Sequence, residues 1–90
     1  MKQLQFTVYG KVQGVWFRAW TQDLAKEMGI TGWVRNMSDG NVEGVAMGEK
    51  DLLNTFLGRL HDGPPLARVT NVDSTTNEVD DIIDTFDIRA

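Results

Sequence analysis

Apolar and polar residues alternate at the start of the chain, with Leu4, Phe6 and Val8 set against Gln5, Thr7 and Tyr9. A period of two marks a half-buried strand over residues 4–9. From Phe17 the period lengthens. Phe17, Trp20, Leu24 and Met28 recur at near-helical spacing, with Thr21 and Ala25 beside them. Gly29 is placed to end that helix in the left-handed conformation, which costs glycine little. Residues 31–37 then predict a second strand and residues 41–47 a third. Between them, Ser38-Asp39-Gly40 predicts a hairpin turn in which both Asp and Gly tolerate positive φ. A second helix is expected over residues 49–60. Its apolar stripe is Leu52, Leu53, Phe56, Leu57 and Leu60, and its polar face holds Asp51, Asn54 and Arg59. His61-Asp62-Gly63-Pro64-Pro65 stops it, because proline cannot continue a helix. Residues 68–75 predict a fourth strand, residues 77–81 a polar, acidic loop, and residues 84–89 a last short strand carrying Phe86 and Ile88.

The order β-α-β-β-α-β with an extra C-terminal strand is the plan of an α+β, ferredoxin-like α/β sandwich. Its sheet is expected to be mostly antiparallel, with two helices covering one face and the other face largely in water. No internal repeat, linker or low-complexity tract interrupts the pattern, so residues 1–90 are expected to form a single domain.

Composition narrows the function without naming it. A 41% hydrophobic and 24% charged make-up is that of a globular chain rather than a disordered one. No apolar run approaches the roughly 18 residues needed to span a bilayer, and Met1-Lys2-Gln3-Leu4-Gln5 does not read as a signal peptide. The absence of cysteine removes thiol nucleophiles and thiolate metal sites and fits a cytoplasmic protein. A net charge of −4 argues against nucleic acid as the main partner, because phosphate backbones demand a basic surface. A small anionic substrate needs only a local positive pocket.

Gly10-Lys11-Val12-Gln13-Gly14-Val15-Trp16-Phe17-Arg18 lies between the first strand and the first helix. Its two glycines let the backbone turn sharply and approach a ligand closely. The first amides of the following helix lack intrahelical partners and face that turn. Arg18 falls in the first helical turn, where the positive end of the dipole makes a cation locally unfavourable. An anion cradled by backbone N–H groups and clamped by the guanidinium resolves the conflict. An ordinary strand-to-helix turn with a surface arginine remains the alternative. The stretch is not a nucleotide P-loop, which requires Lys-Ser or Lys-Thr after its last glycine. Asn36 ends the second strand. It reads either as a turn former or, where the topology brings that strand end beside the glycine loop, as an amide that orients water.

Taken together, these residues resemble the acylphosphatase family over essentially the whole chain. The first motif matches the family's Gly-x-Val-Gln-Gly-Val-x-Phe-Arg. The second is Gly32-Trp33-Val34-Arg35-Asn36, followed by Asp39-Gly40-x-Val42-Glu43. Weaker echoes are Gly63-Pro64-Pro65-x-Ala67-Arg68-Val69 and Phe86-x-Ile88. The resemblance implies that Arg18 binds the substrate phosphate. It implies further that the backbone N–H groups of Gln13, Gly14, Val15, Trp16, Phe17 and Arg18 line the cradle, and that Asn36 positions the attacking water. Family members commonly carry threonine after that asparagine. Met37 stands there instead, which removes a hydroxyl and bears on turnover rate rather than on reaction class.

The implied substrate is an acyl phosphate, with inorganic phosphate as product and inhibitor. Its carboxylate leaving group, of pKa about 4 by analogy with aspartate, departs without a general acid. The implied enzyme is a metal-free, cofactor-free hydrolase, expected to be cytoplasmic and monomeric, with no nucleic-acid or membrane partner. Two other readings are a phosphate-binding domain of the same fold without turnover, and a ferredoxin-like module that binds RNA or protein. The RNA version needs exposed aromatics on the central strands and a basic face. Among the remaining residues, His61 reads as a cation at a helix end. Asp62, Glu78, Asp80 and Asp81 read as solvated acids whose spacing matches no calcium loop. Trp16, Trp20 and Trp33 read as core or rim, with Trp16 a candidate to touch the acyl group. Lys11 and Arg35 are candidates to add positive potential near the site.

Overall fold

The strand and helix periods of the sequence resolve into seven elements in the computed structural model, which describes residues 1–80 and 82–90. They are β1 (Lys2–Lys11), α1 (Phe17–Met28), β2 (Thr31–Asn36), β3 (Val42–Gly48), α2 (Lys50–Asp62), β4 (Arg68–Glu78) and β5 (Phe86–Arg89). The sheet order is β4-β1-β3-β2-β5. β1 pairs antiparallel with β3 and β4, β2 antiparallel with β3, and β5 parallel with β2. It follows that β1 runs parallel to β2 with β3 inserted between them, and β3 parallel to β4 with β1 between. These are two interlocked split β-α-β units, the ferredoxin-like arrangement.

Strand alternation decides which side chains meet the helices. Leu4, Phe6 and Val8 of β1, Val34 of β2, and Val42 and Ala46 of β3 all join one buried cluster. Phe17, Leu24 and Ala25 of α1 and Leu53, Phe56 and Leu60 of α2 close it from above. α1 lies on β2 and β5, α2 lies on β4, β1 and β3, and the two helices touch. Phe56 sits at the centre, edge-on to Phe6 at 5.9 Å and to Phe86 at 6.3 Å between ring centroids. Such aromatic pairs contribute roughly 0.5–1.5 kcal/mol beyond the area they bury.

Three expectations need correction. Leu52, counted in the apolar stripe of α2, is 38% exposed, because the stripe that faces the core is the narrower set Leu53, Phe56, Leu57 and Leu60. The hairpin between β2 and β3 turns at Ser38-Asp39-Gly40, closed by the Met37 N–H on the Asn41 carbonyl at 2.8 Å and the Gly40 N–H on the Met37 carbonyl at 3.2 Å, but of the two positions expected at positive φ only Gly40 takes one. Asp39 instead accepts the Asn41 N–H on Oδ1 at 3.0 Å, a side-chain turn of the kind aspartate favours. Asn77 and Glu78, expected in an acidic loop, continue β4, where they pair with Gln3 and Lys2; Asp81 of that loop lies outside the described residues. On the outer face of the sheet, Val45 and Met47 are buried while their neighbours Gly44 and Ala46 face the helices. Among the described residues no helix is long and apolar enough to cross a membrane.

Candidate active site

Topology explains why residues far apart in sequence meet. With β1, β2 and β5 all parallel, their C-terminal ends lie on one rim of the sheet. The chain leaves β1 there to enter α1, β2 ends there at Asn36, and β5 ends there at Ile88 and Arg89. Gly10 begins the departure. The β1–β4 register shifts between Tyr9 and Gly10, and Gly10 takes φ 121°. A Cβ at Gly10 would stand 2.1 Å from the Arg68 carbonyl oxygen, so no other residue fits that bulge without moving β4.

Beyond the bulge the chain makes no regular structure until Phe17. Val12 and Val15 turn into the core, 1% and 5% exposed, and anchor the loop from inside. Gly14 takes φ 73° at the surface, where an added Cβ would meet no protein atom within 4 Å. Trp16 follows at φ 67°, ψ 17°, the one non-glycine residue with positive φ among those described, and caps the start of α1. Left-handed backbone costs a residue with a Cβ about 1–2 kcal/mol. Trp16 does not offset that cost by burial, since it is 77% exposed.

The first helical amide to reach a carbonyl is that of Trp20, on Trp16 at 2.9 Å. The preceding amides have no intrahelical acceptor, and no side chain caps the helix. The first turn also contains no acidic residue to balance the dipole. A cluster of donors is therefore left open at the rim, with Arg18 among them. Arg18 is half-buried and forms no ion pair among the described residues. Its Nη1 donates one long hydrogen bond, 3.4 Å, to the Arg89 carbonyl.

Asn36 approaches from the other side. It lies on the same face of β2 as buried Val34, so its side chain points toward the helix layer rather than the outer face. Its Oδ1 is buried and has no hydrogen-bond partner. An unpaired buried acceptor costs about 1–3 kcal/mol and calls for a partner from solvent or substrate. Arg18, Asn36, Gly14, Trp16 and Phe17 line one open hollow of about 420 Å³. Its remaining walls are Val12, Ala19 and Ile88.

The other expected site residues fall differently. Gln13 and Val15 do not line the hollow with their side chains. The Val15 side chain is core, and the Gln13 amide donates to the Met37 and Asn41 carbonyls at 2.7 and 2.9 Å, tying the glycine loop to the β2–β3 loop. Residue identity gave no sign of this tie, because its acceptors are main-chain carbonyls that any residue could supply. Arg35 contributes nothing to the hollow. It alternates to the outer face, donates from Nε to Glu43 Oε1 at 2.6 Å and lies 5.4 Å from the Trp33 ring centroid, with the Arg89 guanidinium at 4.6 Å from the same ring. Trp33 is thus an outer-face residue flanked by two cations. Ile88, read from sequence as a strand residue of β5, is with Val12 and Ala19 a wall residue that sequence reasoning did not assign to the site.

Known proteins share both the fold and the segments that build this rim. The sequence matches the family model for acylphosphatase over residues 4–88. An acylphosphatase of Methylococcus capsulatus is 51% identical over 73 residues, covering 81% of this chain and 79% of the relative. The crystal structure of acylphosphatase from Bacillus subtilis superposes with a TM-score of 0.97 at 34% identity, covering 100% of both chains. An acylphosphatase structure from Coxiella burnetii gives a TM-score of 0.91 at 43% identity, over 98% of this chain and 92% of that one. With sequence and fold matched over nearly its whole length, the chain belongs to the acylphosphatase family.

Proposed function

We propose that the protein hydrolyses the carboxyl–phosphate bond of acyl phosphates by a single in-line attack of water. Arg18 and the backbone N–H groups of residues 13–18 hold the phosphoryl group, and Asn36 holds the water. The phosphoryl transition state carries its charge on the equatorial oxygens, so catalysis is mainly placement plus electrostatic stabilisation. Open amides at a helix start and one guanidinium free of carboxylates supply that stabilisation without reorganising. The water oxygen bonds to phosphorus as the bond to the acyl oxygen breaks, and the bonding pair leaves on the carboxylate. Both water protons end on the phosphate, so R–CO–OPO₃²⁻ and water give R–COO⁻ and H₂PO₄⁻. A carboxylate of pKa about 4 needs no proton to depart.

The observation that carries this reading is that Asn36, whose buried Oδ1 has no hydrogen-bond partner, lines the same hollow as Arg18. An acceptor so placed takes a hydrogen bond from water and fixes its approach, which is an orientation effect expected mainly in kcat. Benzoyl phosphate hydrolysis, with inorganic phosphate as competitor, tests the assignment. Arg18→Ala should lower kcat/KM by about 10²-fold or more and abolish inhibition by phosphate. Asn36→Ala should lower kcat by about 10²-fold while phosphate still inhibits. Full activity in Asn36→Ala would remove the water-holding role. Phosphate inhibition without turnover in the unaltered protein would leave a binding domain instead of an enzyme.

A further inference from the structure

The hollow is much larger than one tetrahedral anion, and most of it has no polar side chain. Among the described residues Arg18 and Asn36 are the only charged or amide side chains that line it, and the proposed chemistry uses both at the phosphoryl end. The rest of the lining is Trp16 and Ile88 together with Val12, Gly14, Phe17 and Ala19. Trp16 and Ile88 are the exposed parts of this wall, 77% and 41% open. Neither is needed by the core cluster, which neither joins.

Trp16 is the more telling of the two. Its backbone is the one strained non-glycine position among those described, and glycine would sit there without strain. An indole in that place is neither favoured by the local backbone nor compensated by burial. Strained positions that persist without a stability gain cluster at ligand sites. A substrate brings its own reason for the indole to be there. The acyl group is covalently joined to the phosphoryl group, so it must occupy the rest of the same hollow. An apolar acyl group there covers the exposed Trp16 and Ile88 surfaces and is covered by them.

Resting on the hydrolytic reading above, we infer that Trp16 and Ile88 form an acyl-side wall that selects acyl phosphates with a flat, apolar, preferably aromatic acyl group. The wall offers no side-chain cation to a second phosphate and no carboxylate to an ammonium group. Acyl groups carrying those charges are therefore disfavoured, because the charge would lose water without gaining a partner. Ring stacking against the indole and contact with the branched aliphatic wall supply the preference for the aromatic acyl group.

The test is the ratio of kcat/KM for benzoyl phosphate to that for acetyl phosphate, two substrates with the same leaving chemistry. Trp16→Gly and Ile88→Ala should each lower that ratio, Trp16→Gly by about tenfold, the range expected for one well-placed apolar contact. Trp16→Phe should restore most of it. Glycine suits φ 67° and Ile88 sits half-open on a terminal strand, so neither change should threaten the fold. A ratio unmoved by both substitutions, with both substrates slowed in parallel, would overturn the acyl wall while leaving the hydrolytic reading intact. Unaltered protein that cleaves neither substrate defeats the hydrolytic reading and this inference with it.

Discussion

Gln13 illustrates how a single side chain can set a site it does not face. Its amide reaches two carbonyls of the β2–β3 loop, one of them the carbonyl of Met37, the residue after Asn36. This tie joins the loop that carries the amide donors to the loop that follows Asn36, and so bears on the distance between them. Gln13→Ala removes both bonds. The two carbonyls keep their other donors, the Gly40 and Met37 N–H groups, so no acceptor is orphaned. The stability loss should therefore stay near about 1 kcal/mol, the low end for two hydrogen bonds. Turnover should suffer more, because an error of an ångström in placing water costs far more rate than binding. A drop in kcat larger than the change in the phosphate inhibition constant is the expected result. Equal losses in both would mean that Gln13 shapes the cradle rather than the distance across it.

At the scale of elements, the β1–β4 pairing is held at its far end by charge. Glu78 closes β4 against Lys2, with Oε1 2.6 Å from Nζ, and against the terminal amine at 3.5 Å. The Lys2 ammonium holds the Glu78 carboxyl below its ordinary value of 4.5, by hydrogen bond first and by charge second. A carboxyl whose folded pKa is depressed contributes its stabilisation above about 4.5, and the contribution fades as the pH falls through the folded value. Both partners are solvent-exposed, so the effect is small and screened by salt. Carbon-detected NMR titration should place Glu78 below 4.5 in the unaltered protein and return it toward 4.5 in Lys2→Ala. An unshifted Glu78 would show that the pair does not persist in solution. This same pair explains why the end of β4 was not legible in sequence. Asn77 and Glu78 have low strand propensity and no alternation, and it is pairing with Gln3 and Lys2 at the start of β1 that holds them extended. Phe86 and Ile88 carried a period-two signal, so β5 was found. That β5 pairs with β2, and so delivers Ile88 to the site, is a matter of sheet order that no local pattern records.

Across the whole molecule, the site exists only when the sheet is assembled. The glycine loop, the start of α1, the end of β2 and the end of β5 each contribute to one hollow, and none is near all the others in sequence. What the sequence made legible were the parts whose residue types conflict with their surroundings. Two glycines beside a helix start and an arginine at the positive end of its dipole are such conflicts. Trp16 conflicts equally, but in a dihedral angle that a string of letters does not carry. An anion held by the glycine loop and the start of α1 binds only the assembled rim and has no counterpart in the unfolded chain, so it must stabilise the fold. Inorganic phosphate at 100 times its dissociation constant should add about 2.7 kcal/mol. For a domain of this size that corresponds to a rise in Tm on the order of 10–20 °C. Arg18→Ala should abolish the shift, since it removes the one guanidinium in the hollow. Asn36→Ala should keep most of it, because its amide is assigned to water and not to phosphate. Sulfate, a tetrahedral anion of similar size, should act in the same direction. A phosphate shift that survives Arg18→Ala would place the anion elsewhere on the protein, and the convergence of these four segments would then serve the fold alone.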